Sequence, residues 1–532
     1  TAPPVTTAPP VTTAAPVTTA APLSTRRRAA GAARRIVARH WLLIVALVFG
    51  VGLRVVVTIA YWPGLELFDD SYDYLAHAQS LVPGGWHPAG YSLFLRVLAP
   101  VGSIGVVPVV QHLMGLGLAV LGYALLLRLG VRRPLAVLGV LPLLLDGYQL
   151  AIEQFVLAET LTDVLLLGGI AILCWKTRTT PLRAGMVGLC LAAATVTRTA
   201  ALPVLVVAGL YLVARRHWRS LATYTAVALV SLLGYSGWYA SAHGHLGFSD
   251  YSGYFLYGQV APIATCDYPL SAQERRLCPV QPVPERTKSH EVYIYAKSSP
   301  LNQPGLGTHL QRNHLARSFA EQVILHQPGA YAASVAGDVW HYFTPGRWMT
   351  ADAISVQRSR FPGPHPDRVK NLNVLFANLG FHGQRITPQV DPALMAPLRW
   401  YQATFFTEGP VLLACLVGAA AVSWPGRERG RDRERGSDRE SGRDRESGPD
   451  RESGPERCRR GMVRWAAAVM AASGLLLAVV PSVAVGFSYR YQIPLLMLLP
   501  PAGAIAADVG VDVLLRRLRA ARGYAGEGAR VL

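Results

Sequence analysis

The sequence predicts an all-α polytopic membrane protein of about ten transmembrane helices with one extracytoplasmic soluble domain. Three observations predict it. Of 532 residues, 51% are hydrophobic and only 16% are charged, against about a quarter charged in a soluble chain. Apolar runs recur from Trp41 to Ala507, each close to the ~20 residues that cross ~30 Å of hydrocarbon. Arginines gather at one side of these runs, as the positive-inside bias requires. In lipid every backbone amide must be satisfied internally, so the runs have to be helices.

The elements follow in order. Arg26, Arg27, Arg28, Arg34, Arg35 and Arg39 precede the first span, 41–62, and set the N-terminus inside. The second span, 107–127, returns to Arg128, Arg132 and Arg133. Spans 135–150 and 157–175 end at Lys176, Arg178 and Arg183; spans 184–196 and 200–213 end at Arg215, Arg216 and Arg219. Span 221–240 goes out, a polar segment follows to about residue 400, and span 404–424 comes back. Spans 462–485 and 493–507 complete the set, and Arg516, Arg517, Arg519 and Arg522 close the chain inside. The resulting division is a Thr/Pro/Ala-rich disordered cytoplasmic tail (1–35), a transmembrane module of seven helices (36–241) and an extracytoplasmic domain (242–400). One further span (401–425), a charged cytoplasmic linker (426–461), two last spans (462–510) and a basic tail (511–532) follow. The formal charge of +19 raises nucleic acid as a partner. Most of the arginines flank apolar spans and report topology, so no nucleic-acid binding is expected.

Two segments are of low complexity. Residues 2–25 repeat a hexad (APPVTT, APPVTT, AAPVTT, AAPLST), and the linker repeats DRESG at 438–442, 444–448 and 450–454. Neither composition can bury a core. The chain begins at Thr1 rather than Met, which leaves open whether residues 1–25 belong to the mature protein. Of the six cysteines, Cys174, Cys190 and Cys415 fall in spans and read as small buried hydrophobes, and Cys458 falls in the linker. Cys266 and Cys278 share the external segment, where an oxidising exterior predicts a disulfide. A metal pair is the weaker reading, since no second cysteine pair accompanies them.

The chemistry concentrates in the first external loop, 63–106, and above all in LFDDSYDYLAHAQSLVPGGWHPAGYSLFLRVL (67–98). Asp69, Asp70 and Asp73 follow the first span at once, and His87-Pro88 precedes the next apolar run. A lone Asp in such a place is usually a helix cap or a solvated residue; a cluster at the membrane boundary is harder to dismiss. Charges within spans are expensive, so those present are paired or line a polar cavity. Arg54 is expected to snorkel or to pair with a carboxylate such as Asp146. Glu153 and Glu159 flank the turn between spans three and four. Glu159 and Asp163 share a helix face that either holds a divalent cation with Asp70 or pairs with Arg198. His243 and His245 follow span seven, more simply as helix-end residues than as a metal pair.

Asp70-Ser71-x-x-Tyr74-Leu75-Ala76, a spacer and His87-Pro88-x-Gly90-Tyr91 resemble the first loop of GT-C glycosyltransferases, which include protein O-mannosyltransferases and lipid A aminoarabinose transferases. Ala89 stands where that family has a second proline. The resemblance extends to Arg54, to Glu159 in LAETLTDVLLL, to Arg198 in TVTRTAALPVL and to Arg490-Tyr491. It does not reach the external segment or the linker. It implies a GT-C-like fold and transfer of a sugar from a polyprenyl-phosphate-linked donor to a protein, glycan or lipid acceptor outside, within a multi-pass protein of the cell membrane surrounded by membrane lipids. The resemblance makes Asp70 the base, with Asp69 beside it and Glu159 as a further catalytic carboxylate. Arg198 and Arg490 would bind the donor phosphate, and Tyr74, His87 and Tyr491 would contact substrate. No cofactor is certain; a divalent cation is the one left open, and its ligands are unknown. No phosphate-binding glycine loop is present, which disfavours a nucleotide-sugar donor. Acceptor choice is expected in the external segment, rich in Tyr251, Tyr254, Tyr257, Trp340, Tyr342, Phe343 and Trp348, although those rings equally suit a small packed domain. The competing classes are a lipid or sugar transporter or flippase, which would show repeats and paired broken helices, and a non-catalytic envelope scaffold.

Overall fold

The computed structural model describes residues 23–66, 68–347, 359–363, 381, 389–424 and 454–528. Residues 425–453 with nearly all of the DRESG repeats, nearly all of the hexad repeats and Trp348 lie outside the described residues, and so does the side chain of Asp69; the end of the expected linker, 454–461, is helical. The chain divides into two units, residues 1–45 and 46–532. The first carries the beginning of helix α1 (Leu23–Ala60), which turns out of helical geometry at His40. It is helical from Leu23, where composition predicts disorder to residue 35.

In the second unit, α1 leads through a two-residue strand, β1 (Tyr61–Trp62), to α2 (Phe68–Ser80) and α3 (Gly90–Leu98), both within the predicted first loop. Then come α4 (Val106–Leu129), α5 (Arg133–Leu145), α6 (Gly147–Gln154), α7 (Glu159–Cys174), α8 (Pro181–Thr197), α9 (Leu202–Ala214) and α10 (Trp218–His243). The segment predicted as a soluble domain holds α11 (Ser252–Val260), α12 (Ala272–Arg275), α13 (His290–Tyr295), α14 (His309–His326) and α15 (Pro328–His341). After β2 (Gln389–Val390), antiparallel to β1 with Tyr61 opposite Val390, the chain ends in α16 (Pro392–Thr404), α17 (Gly409–Ser423), α18 (Gly454–Ala484), α19 (Ile493–Leu496) and α20 (Leu499–Gly528).

Among the described residues four helices are long and apolar enough to cross a membrane: Val37–Ala60, Val106–Leu129, Trp218–His243 and Arg459–Ala484. Counting each of three bent pairs as one span gives up to seven, so this is a multi-pass helical membrane protein. The expected spans 157–175, 184–196 and 200–213 fall on α7, α8 and α9, of 16, 17 and 13 residues, which at ~1.5 Å per residue fall short of ~30 Å. One of these bends has a clear local cause. Between α5 and α6 the axis turns by 48° at Asp146, which leaves helical geometry and accepts hydrogen bonds from the amides of Tyr148 and Gln149 as the cap of α6. Pro142 loosens the preceding turn.

The bend matters because it turns Glu153 inward. Arg54 donates through Nε and Nη2 to the two oxygens of Glu153, each at 2.8 Å, and through Nη1 and Nη2 to the carbonyls of Gly50, Leu144 and Leu143. His112 and Gln149 also bind Glu153 at 2.8 and 3.0 Å. The expected Arg54–Asp146 pair is not made, because Asp146 is occupied as a cap and also accepts from the amide of Thr407.

Helices α11 to α14 share a core of their own, centred on Tyr257, Leu277, Phe319 and Val323. Tyr257 donates to the Leu277 carbonyl at 2.7 Å, and Cys266 and Cys278 form a disulfide with Cα atoms 6.3 Å apart.

Candidate active site

The first loop is pulled over the helix ends by backbone bonds. The Leu65 amide donates to the Gln154 carbonyl, the Val156 amide to the Leu65 carbonyl, and Ser71 Oγ to the Val156 carbonyl, at 2.9 to 3.0 Å. This sets the start of α2, and with it Asp70, beside the start of α7, where Glu159 opens the helix. From the other side, α3 meets the end of α8. A Cβ on Gly90 would lie 2.7 Å from both the Val196 carbonyl oxygen and Thr197 Oγ1, so only glycine permits this approach. Arg198 follows Thr197 at once, in extended backbone. Arg490 comes from a 3₁₀ turn, Tyr489–Gln492, before α19.

Four segments distant in sequence thus deliver four charges to one place. Arg490 Nη1 donates to Asp70 Oδ2 at 2.5 Å and its Nε to Glu159 Oε1 at 2.7 Å. Arg198 Nη1 pairs with the same Glu159 oxygen, and its guanidinium lies 5.4 Å from the centre of the Tyr491 ring. Glu159 is 1% exposed, whereas Asp70, Arg198 and Arg490 retain 14 to 17%. Glu159 therefore forms the floor, and the other three border open space. Its Oε2 has no hydrogen-bond partner, and neither has either oxygen of buried Asp163 one turn on.

His87 joins the site from the loop. Its Nδ1 lies 2.9 Å from Asp73 Oδ2 and its Nε2 3.7 Å from Asp70 Oδ1, and His77 lies 3.3 Å from the other oxygen of Asp73. Burial works to raise the Asp73 pKa, but the bonds from His77 and His87 outweigh it and hold the carboxyl at about 2. The same bond from Asp73 raises His77 above its ordinary value. Tyr74, expected to touch substrate, is 1% exposed and packs beneath His87 and Tyr91 at centroid distances of 4.7 and 4.9 Å. It supports the imidazole from below, because on α2 it falls on the face that α3 covers.

Several residues at the site carry little signal in the sequence. Trp86 stacks on His87 and on Tyr251 of the α11 segment, at 5.0 and 5.5 Å. Asp250 holds the loop: its amide donates to the Gly85 carbonyl at 2.7 Å, and its carboxylate sits 3.1 Å from His243 and 2.9 Å from His245. His243 Nε2 reaches the Pro83 carbonyl at 2.9 Å. The two histidines are thus part of a clasp on the loop. Among the described residues no group of three or more His, Cys, Asp or Glu is arranged to hold a metal ion.

Fold and site define a multi-pass helical membrane protein with a carboxylate–guanidinium cluster at its helix ends, roofed by a His-Pro loop. No family model matches the chain, and no curated protein matches it by sequence. Among solved structures it is similar to the archaeal oligosaccharyltransferase AglB from Archaeoglobus fulgidus, determined in complex with an inhibitory peptide and a dolichol-phosphate. Identity is 13%, the match covers 91% of this chain and 52% of that one, and the TM-score is 0.37. The chain spans about half the length of that protein. A likeness at that score says nothing of chemistry, which rests on the side chains.

Proposed function

We propose that the protein is a membrane glycosyltransferase of the GT-C type that moves a sugar from a polyprenyl-phosphate donor to an acceptor outside the membrane. Read by the positive-inside bias, the arginine-flanked helix ends face the cytoplasm, which sets the site outward. The carrying observation is the convergence of Asp70, Glu159, Arg198 and Arg490 from α2, α7, the end of α8 and the turn before α19.

The chemistry follows from the charges. Glu159 holds two guanidinium groups side by side through one oxygen, which otherwise repel; this makes it a positioning clamp more than a base. The paired arginines suit a phosphate, to which guanidinium binds bidentately. A donor phosphate competes with Asp70 for Arg490 and so frees the carboxylate at the moment the donor is seated. Asp70 then takes the proton of an acceptor hydroxyl as that oxygen attacks the anomeric carbon from the opposite face. The bond from that carbon to phosphate breaks, the electron pair leaves on the polyprenyl phosphate, and configuration inverts. The two arginines stabilise the charge that grows on the leaving group. His87, 3.7 Å from Asp70 Oδ1, orients the carboxylate while Asp73 fixes the ring.

The test is reconstitution into vesicles with radiolabelled polyprenyl-phosphate sugars, comparing wild type with Asp70→Asn. Label should pass to acceptor in wild type and fall by ~10²-fold or more in the variant, the usual worth of a general base. Transfer untouched by the substitution refutes the assigned base. Label that crosses the bilayer without transfer identifies a transporter.

A further inference from the structure

A cavity adjoins the charged cluster, with a volume of about 540 Å³. It is walled by the loop and the α11–α14 segment: Trp86, Tyr251, Tyr254, Tyr295, His309 and Arg312 are the groups that matter. Trp86 ties it to the site, since its ring also stacks on His87 at 5.0 Å. Tyr295 ties it from the other wall, being close enough to Asp70 and Tyr491 for their charges to act on its hydroxyl.

Two features of the lining point to a ligand. The rings form a continuous set, with Trp86 to Tyr251 at 5.5 Å, Trp86 to Tyr295 at 5.8 Å, and His309 against Tyr251 and Tyr254 at 4.4 and 4.7 Å. Tyr295 is nevertheless 45% exposed. Within this lining two buried polar atoms have no hydrogen-bond partner, His309 Nε2 and Arg312 Nε. Buried polar atoms are nearly always satisfied, and an orphan pair on one cavity wall is what a bound group satisfies. Burial first lowers the His309 pKa, and the ring bonds the Asp250 backbone, so it is neutral at physiological pH. If the proton sits on the nitrogen facing that carbonyl, Nε2 is an acceptor. Arg312 Nε is a donor. An acceptor and a donor one helical turn apart suit hydroxyl groups, which do both.

Resting on the transferase reading above, we propose that this cavity is the acceptor subsite and that the acceptor is a glycan. Sugar rings present flat C–H faces that pack on aromatic rings, while their edges carry hydroxyls for His309 and Arg312. A peptide is less well served: extended peptides are commonly held by pairing along a strand edge, and the walls here are helices and loop.

Binding is read without any donor, by quenching of tryptophan fluorescence in purified, detergent-solubilised protein. The probes are neutral manno-, galacto- and gluco-oligosaccharides of four to six units on one side and Ser/Thr-rich peptides on the other. At least one oligosaccharide series should quench saturably, and Tyr295→Ala and Arg312→Gln should each weaken it tenfold or more. Tyr295 is exposed enough that its loss spares the fold, and an unchanged melting temperature checks this. Saturable binding of peptides with none of oligosaccharides overturns the proposal, as does oligosaccharide binding that both variants leave intact. Because no lipid-linked sugar is present, this measurement can fail while transfer stands, or succeed while transfer fails.

Discussion

Two arginine–glutamate centres lie at neighbouring helix ends, and they are built on opposite principles. At Arg54 every one of the five N–H groups has an acceptor, two on Glu153 and three on backbone carbonyls, and the guanidinium is 3% exposed. At Glu159 one carboxylate oxygen serves two arginines while the other has no partner, and the arginines keep an exposed edge. The first is closed and has nothing left to bind with; the second is compensated in charge but incomplete in hydrogen bonds. A charged residue in a span is costly in either case, so its presence alone does not mark a site. Unfinished hydrogen bonding at an accessible edge does.

The comparison breaks most sharply on Arg54. Arg54→Met leaves Glu153 buried with only His112 and Gln149, and removing one member of a buried pair costs about 3–5 kcal/mol. The thermal midpoint in detergent and the yield from membranes should both fall steeply. An unchanged midpoint would mean that this centre is not structural. The active-site centre should respond the other way. Arg490→Lys keeps the charge but cannot bridge Asp70 and Glu159 together, so transfer should fall by ~10²–10³-fold, the range for loss of one preorganised donor, with the thermal midpoint nearly unchanged. A variant that instead melts early would move Arg490 into the structural class.

The loop sharpens the contrast through pH. The Asp73 pKa is depressed to about 2, so its contribution is full above its ordinary value of 3.8 and is lost as pH falls through about 2. The His77 pKa is raised, so its share is full below 6.5 and fades as pH rises through the folded value. Together they predict a loop held best between the two ordinary values. The Asp73 part is on the order of 2 kcal/mol for a group 17% exposed. Asp73→Asn should flatten the acid limb of the thermal midpoint between pH 4 and 2. An acid limb as steep in the variant as in wild type would refute the assignment.

The hydrocarbon made much of this legible from sequence. Charges beside apolar runs draw the eye to Asp70, Glu159, Arg198 and Arg490, and His87-Pro88 precedes such a run, but it is the resemblance to the GT-C first loop that gives these residues roles. Partners were less legible. Threading 135–150 as one helix conceals the break at Asp146 that turns Glu153 toward Arg54. The resemblance makes Tyr74 a substrate contact; that its ring is buried beneath His87 and Tyr91 depends on how α3 covers α2, which the sequence does not show. Trp86, Tyr295, His309 and Arg312 are ordinary aromatic and polar residues until the α11–α14 core brings them to the same cavity.

A third ion pair supplies the baseline against which both centres are judged. On α14, Arg317 Nε donates to Glu321 at 2.9 Å one turn later, with side chains 62 and 52% exposed. Water solvates both partners well, and holding two long side chains in one geometry costs entropy, so pairs of this kind are worth about 0.3–0.5 kcal/mol. Arg317→Ala should shift the thermal midpoint by a degree or less and leave transfer unaltered. The variant controls for the loss of an arginine ion pair as such: if it reduced transfer as Arg490→Lys does, the effect at Arg490 would be unspecific and would not reflect its two bonds to Asp70 and Glu159.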